Sequence, residues 1–302
     1  MRELRNVMNV IPSRLADRSS AYRHLFTRFD ERHGVLWCIM DPMGNSCFSL
    51  ELLQELRAVE MDLERHAGNT PPEELPLRYF VFASRTPGVF NYGGDLQWII
   101  RCLNARDAAA LRQYARLCID VLHSYFMNFH LPITTISLVQ GDALGGGFEA
   151  ALGGDVIIAE KSAQFGFPEV LFNLFPGMGA YNFLSRRVGI ARTERMILGG
   201  KTYRAEELVD DGVIDIVAED GKGENALYDY IEKHSRKKHV YESLFQVRRS
   251  TFPVRHEQMM EISELWVETA MRIGPRDIRL MERLVKAQGR TPPLARPVEV
   301  SL

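Results

Sequence analysis

ITTISLVQGDALGGGFEAALGGDVIIAE, residues 133–160, is the stretch on which the fold turns. An apolar run at 134–139 ends in glycines, a short helical segment at 148–152 starts directly after them, and a second apolar run follows at 155–159. Strand, glycine turn, helix and strand in quick succession predict parallel strands joined by crossover connections.

The same alternation extends to both sides. Residues 25–30 and 35–40 read as two strands around the polar turn ERHG (31–34), a hairpin-like start. Ser49 is placed to cap a helix over 50–66, whose apolar residues fall at helical spacing. GNTPP (68–72) breaks the chain before a strand at 77–83. The loop SRTPGVFNYGGD (84–95) then leads into one long helical region from 96 to about 130, with Pro132 as the break. Past residue 160, the loop FGFPEV (165–170) precedes a helix around 179–188. Beyond Val217 the chain turns helical, charged and Met-rich, with helices at 225–241 and 256–273. The expected organisation is a polar extension over 1–24, an α/β core over 25–217 with largely parallel strands, and a helical portion over 218–302.

Composition narrows the function classes. With 302 residues the chain can bury a large core, and 46% hydrophobic and 25% charged residues are ordinary for a globular protein. A net charge of −2 leaves no electrostatic footprint for nucleic acid. Apolar runs are short and residues 1–20 hold no uninterrupted apolar segment, so neither a membrane span nor a leader is expected and a cytoplasmic location follows. The cysteines (Cys38, Cys47, Cys102, Cys118) form no CxxC pair and the eight histidines form no HExxH. No metal, disulfide framework or cofactor is therefore expected, and the thiols read as small packed hydrophobes.

Chemistry concentrates at the glycine turns. N–H groups opening a helix lack an intrahelical partner, and glycines let a ligand oxygen approach them, which suits an anion or a developing oxyanion. The turn reads equally as a tight ligand-free connection. A dinucleotide site would need G-x-G-x-x-G, which GDALGGG (141–147) lacks, and Glu149 would repel phosphates. No G-x-S-x-G occurs, so there is no nucleophile elbow.

Glu149 lies in an apolar, small-residue stretch where a carboxylate is costly unless paired or functional; the alternative is an exposed glutamate in a first helical turn. Glu169, after Pro168, sits among aromatics and aliphatics and can equally be a cap. Together, each after a strand of one sheet, they fit a site where one carboxyl gives a proton and the other takes it. TPGVFNYGGDL (86–96) repeats strand end, glycine pair and acid: the Gly94 N–H can be a second donor facing that of Gly146, with Asp95 capping the next helix.

NYGGDL (91–96), ALGGGFEAAL (143–152), FGFPEVLFNLFPGMGA (165–180) and KTYRAEELVDDGVIDIV (201–217) together resemble the crotonase (enoyl-CoA hydratase/isomerase) superfamily. The resemblance implies a ββα-spiral core, an oxyanion hole from the N–H groups of Gly94 and Gly146, and two catalytic glutamates, Glu149 and Glu169. By analogy with hydratases it makes Glu169 the base at the α-carbon and Glu149 the acid at the departing hydroxyl. Within the superfamily, FGFPEVLFNLFPGMGAYNFLSRRVG (165–189), AEDG (218–221) and the long segment after GGDL look most like the diffusible-signal-factor synthases. These imply dehydration of a 3-hydroxyacyl thioester on acyl carrier protein to the cis-2-enoyl thioester, then hydrolysis to the free acid. An enoyl-CoA hydratase/isomerase acting on CoA thioesters is the alternative, and a non-catalytic regulatory member the third reading. Family position further implies an acyl pocket lined by Met178, Trp266 and Leu284, whose other reading is plain core packing. It also implies a homotrimer or dimer of trimers built through the C-terminal helices, and a sensor protein as regulatory partner. Arg186, Arg187 and the basic run SRKKH (235–239) read either as a docking patch for an acidic carrier or as a solvated face.

Overall fold

The computed structural model describes residues 22–288. All but the last three residues of the expected N-terminal extension, and residues 289–302 of the helical portion, lie outside the described residues. Ten strands follow one another: β1 (Leu25–Asp30), β2 (Val35–Met40), β3 (Tyr79–Ser84), β4 (Gly88–Asn91), β5 (Thr134–Val139), β6 (Gly141–Leu144), β7 (Val156–Glu160), β8 (Gln164–Gly166), β9 (Thr202–Arg204) and β10 (Ile216–Ala218), counted among the described residues. Between and after them run α1 (Leu50–Ala67), α2 (Leu96–Ala105), α3 (Ala108–Phe126), α4 (Gly146–Leu152), α5 (Ala180–Val188), α6 (Ile190–Gly199), α7 (Ala205–Val209), α8 (Gly223–Ser235), α9 (Lys238–Thr251), α10 (His256–Ala270) and α11 (Pro275–Gln288).

The strands form two sheets. The larger has the order β1-β2-β3-β5-β7-β10, parallel throughout except for the β1–β2 hairpin. Its central strands are buried along their whole length because helices cover both faces, which is why they read as continuous apolar runs. β1 instead alternates buried and half-buried residues. One face packs on α1 and α3 through side chains such as Phe48, Phe80, Phe82 and Leu122. The other packs Trp37, Tyr79, Val81 and Ile158 against Leu227, Ile231 and Phe245 of α8 and α9. The smaller sheet has the order β4-β6-β8-β9, with β4, β6 and β8 parallel to one another.

Three expectations need correction. Residues 88–91 and 141–144, read as loop and turn, are β4 and β6 of the second sheet; four-residue strands holding glycine carry too little period-2 pattern to show. The helix expected from 96 to about 130 is α2, α3 and a short 3-10 turn at Asn128–His130. The first break is at Arg106, in the left-handed region at φ 54°, followed by Asp107, whose side chain accepts from the Ala110 N–H and restarts the helix. The helix expected at 225–241 is split between α8 and α9. His234 and Tyr241 pack with ring centroids 4.5 Å apart. On a straight helix seven residues span about 10.5 Å, so this contact needs the chain to turn between them.

Candidate active site

The three glycine-bearing or acidic segments follow neighbouring strands of the smaller sheet: Gly93–Gly94 after β4, Gly145–Gly146 after β6, Glu169 after β8. At the first, Asn91 Oδ1 accepts from the Gly93 N–H at 2.7 Å and the Gly93 carbonyl accepts from the Phe48 N–H at 2.7 Å. A trans, planar peptide points its N–H opposite to its carbonyl, so the Gly94 N–H is aimed away from Phe48. Gly146, first residue of α4, lies on that side. A Cβ built on Gly93 would stand 2.6 Å from Gly146 N, and one on Gly146 would stand 2.6 Å from Met178 Sδ and 3.5 Å from Gly94 N. The two segments approach this closely because neither carries a side chain.

Glu149 lies on α4 and is 1% exposed. Its Oε1 accepts from the backbone N–H groups of Met178, at 2.7 Å, and Ala180, at 2.8 Å, where α5 begins. Burial raises its pKa to about 7, and the N–H donors limit the rise. Glu169 sits in the 3-10 turn Pro168–Phe172, started by Pro168, and stands over Gly145: a Cβ there would fall 2.4 Å from Glu169 Oε1. Oε2 of Glu169 is buried and has no hydrogen-bond partner. Burial, and then the charge on Glu149, push Glu169 up to about 8. Glu169 as a whole is half-buried and lines the cavity, with its Oε2 fully buried. Near neutrality the pair therefore carries about one proton, favoured on Glu169 because the N–H donors favour the anion at Glu149.

Both carboxyls, Gly94 and Gly146 open onto a largely apolar cavity of about 270 Å³. Met178, Trp266 and Leu284, expected as lining residues, all face it. The Trp266 indole lies against Gly177, where a Cβ would come within 2.5 Å of Cδ1. α11 lies across α2 and the Glu169 turn and closes the cavity with Met281 and Leu284. Sequence reasoning missed Ile99 on α2, Tyr114 and Cys118 on α3, and Met281. The i, i+4 spacing of Tyr114 and Cys118 signals a buried helix face but not what that face meets.

Other sequence candidates fall elsewhere. Asp95 caps α2, its Oδ1 accepting from the Trp98 N–H at 2.9 Å. The cysteines are free and buried. Arg187 donates to the carbonyls of Gly154 and Val213, both at 3.1 Å, and to Asp215, while Arg186 donates to the carbonyls of Asn182, Phe252 and Pro253. Both arginines thus brace the fold. In SRKKH, Arg236 pairs with Glu232 and Lys238 with Glu242, and His239 is fully exposed. Among the described residues no group of three or more His, Cys, Asp or Glu is arranged to hold a metal ion, and no helix is long and apolar enough to cross a membrane.

Residues 39–254 match the family model for enoyl-CoA hydratase/isomerase. The chain belongs to this family. Solved structures agree on the fold. An enoyl-CoA hydratase from Bacillus halodurans is 20% identical, with a TM-score of 0.72 over 86% of this chain and 100% of that one. An enoyl-CoA hydratase/isomerase from Xanthobacter autotrophicus Py2 is 22% identical, with a TM-score of 0.70 over 89% and 96%. Pseudomonas aeruginosa DspI is 22% identical, with a TM-score of 0.61 over 90% and 98%. The fold is thus the mixed α/β crotonase fold with its ββα-spiral core and a helical C-terminal portion.

Proposed function

We propose that the protein makes a cis-2-unsaturated fatty acid signal, using Glu149 and Glu169 as its catalytic carboxyls and the Gly94 and Gly146 N–H groups as its oxyanion hole. The observation that carries this reading is a pair of carboxyls with raised pKa beside two closely approaching glycine segments on a largely apolar cavity. The substrate is a 3-hydroxyacyl thioester of acyl carrier protein. Its carbonyl oxygen takes the two N–H groups, and the ionised glutamate removes a proton from the α-carbon. Negative charge moves to the oxygen, where one donor is typically worth about 10²–10³ in rate. The protonated glutamate hands its proton to the β-hydroxyl, which leaves as water as the cis-2 double bond forms. Water deprotonated by a carboxylate then attacks the thioester carbonyl. The tetrahedral oxyanion collapses, and the carrier thiolate leaves with a proton, giving the free acid.

With Glu169 as α-carbon base, as hydratases imply, the shared proton must first reach Glu149. The Met178 and Ala180 N–H groups, which favour the anion at Glu149, oppose that transfer. Met178, Trp266 and Leu284 line the acyl chain's berth in this reading. A trimer or dimer of trimers, and restraint by a sensor protein, belong to the same proposal.

A second reading, hydration or isomerisation of CoA thioesters, is favoured by the family match itself. Incubation with 3-hydroxydodecanoyl carrier protein and, separately, crotonyl-CoA, followed by mass spectrometry, separates the two. Free cis-2-dodecenoic acid from the first is expected. Turnover of crotonyl-CoA with no free acid from the carrier substrate would replace the first reading by the second, and silence toward both would favour a non-catalytic role.

A further inference from the structure

Phe48 and Gly94 form an isolated parallel bridge. One rung is direct: the Phe48 N–H donates to the Gly93 carbonyl at 2.7 Å. In a regular parallel bridge the other rung would run from the Asp95 N–H to the Phe48 carbonyl. A hydroxyl is inserted there instead. The Asp95 N–H donates to Tyr114 Oη at 3.1 Å, and the Tyr114 O–H donates to the Phe48 carbonyl at 2.6 Å. The ring comes from α3, is 3% exposed and stacks on Trp98 with centroids 5.0 Å apart. A Cβ on Gly94 would stand 3.3 Å from that oxygen.

We propose that Tyr114 is a positioning residue that sets the direction of the Gly94 N–H, an inference that rests on reading the cavity as a thioester site. The peptide before Gly94 is tied to Phe48 through its carbonyl, and the peptide after it is tied to Tyr114 through its N–H. Both ties lie on one side of the strand, so the N–H of Gly94 itself points to the other side, toward Gly146. Without the hydroxyl, the Asp95 N–H and the Phe48 carbonyl close on each other or take up a water. Either change turns the Gly94 peptide, and a glycine has no side chain to resist the turn.

A misaimed donor loses part of the effect of a whole one, so Tyr114→Phe is expected to lower kcat by roughly 10-fold with KM changed less than about 3-fold, the pattern of an interaction realised in the transition state. The direct readout is the infrared C=O stretch of a ¹³C-labelled 3-hydroxydodecanoyl thioester bound to the Glu149→Gln/Glu169→Gln protein, which holds the thioester without consuming it. Its shift to lower frequency should relax toward the solution value when Tyr114→Phe is added. 3-Fluorotyrosine at position 114, which keeps ring and hydroxyl, should restore both kcat and shift. An unchanged kcat and shift in Tyr114→Phe, or a lowered Tm with neither altered, would overturn the proposal. Binding with a normal shift but no turnover would remove only the proposed reaction and leave Tyr114 judged by the shift. No binding of the thioester at all would remove both.

Discussion

Burial raises both Glu149 and Glu169, and they differ in hydrogen bonding, which limits the rise at Glu149. Below about 7 both carboxyls hold protons and no base is present; above about 8 both are ionised and no acid is present. A narrow bell in kcat/KM with its maximum between these values is expected from a pH–rate profile, and a plateau extending to pH 10 would rule out a shared proton. The same shifts govern stability. The unfolded carboxyls ionise near 4.5 whereas the folded ones hold their protons to about 7 and about 8, so stability falls as pH rises across that window. Glu169→Gln should abolish most activity yet raise the unfolding free energy by about 2–4 kcal/mol at pH 9, with little gain at pH 4. Urea titrations at the two pH values check this; equal effects at both would contradict it. The residue types of this pair were legible in the sequence, each beside apolar neighbours and a glycine turn. Which one was held by the N–H groups of Met178 and Ala180 was not, because that depends on how α5 meets α4.

Among the elements, regular ones were legible where periodicity is long. β1, β2 and β5 match their expected limits, and α1 starts at Leu50 after the Ser49 cap as its pattern requires. β4, β6 and β8 were not, since three or four residues with glycine carry no period of their own and gain their geometry from one another. The α2–α3 break was hidden for another reason: Arg106 takes a left-handed conformation that its residue type does not favour. Arg106 is exposed and ends α2 with its N–H on the carbonyls of Cys102 and Leu103. Glycine adopts that conformation without a Cβ penalty, so Arg106→Gly should stabilise the protein by up to about 1 kcal/mol. A lower urea midpoint for the variant would show that the arginine side chain contributes something its exposure does not suggest.

The molecule as a whole is tied together away from the cavity by Asp155, at the head of β7. Its side chain is 4% exposed and accepts from Asn128 at 2.6 Å, from Arg248 at 2.7 Å and from Arg249 at 3.0 Å. Core strand, 3-10 turn and α9 therefore share one carboxylate, a link no local pattern announces because its partners lie up to 94 residues from Asp155. Removing it leaves two guanidinium groups without their partner, so Asp155→Ala should cost about 3 kcal/mol, the low end for a buried pair because Arg248 is 39% exposed. Hydrogen exchange should rise first in 238–251, and protection unchanged there would mean that α9 is held by Phe245 and Tyr241 alone. The smaller sheet has a consequence of another kind. Its strands β4, β6 and β8 lie side by side at the ladder spacing of about 4.8 Å, and each delivers one component of the candidate site from its end. The spacing of the two glycine segments is thus kept by main-chain geometry, as by a ruler, and only the direction of the Gly94 N–H is left to a side chain, that of Tyr114. If the cavity is a thioester site, such a scaffold can change the acyl group it accepts while the span between its two glycine amides stays as the sheet sets it.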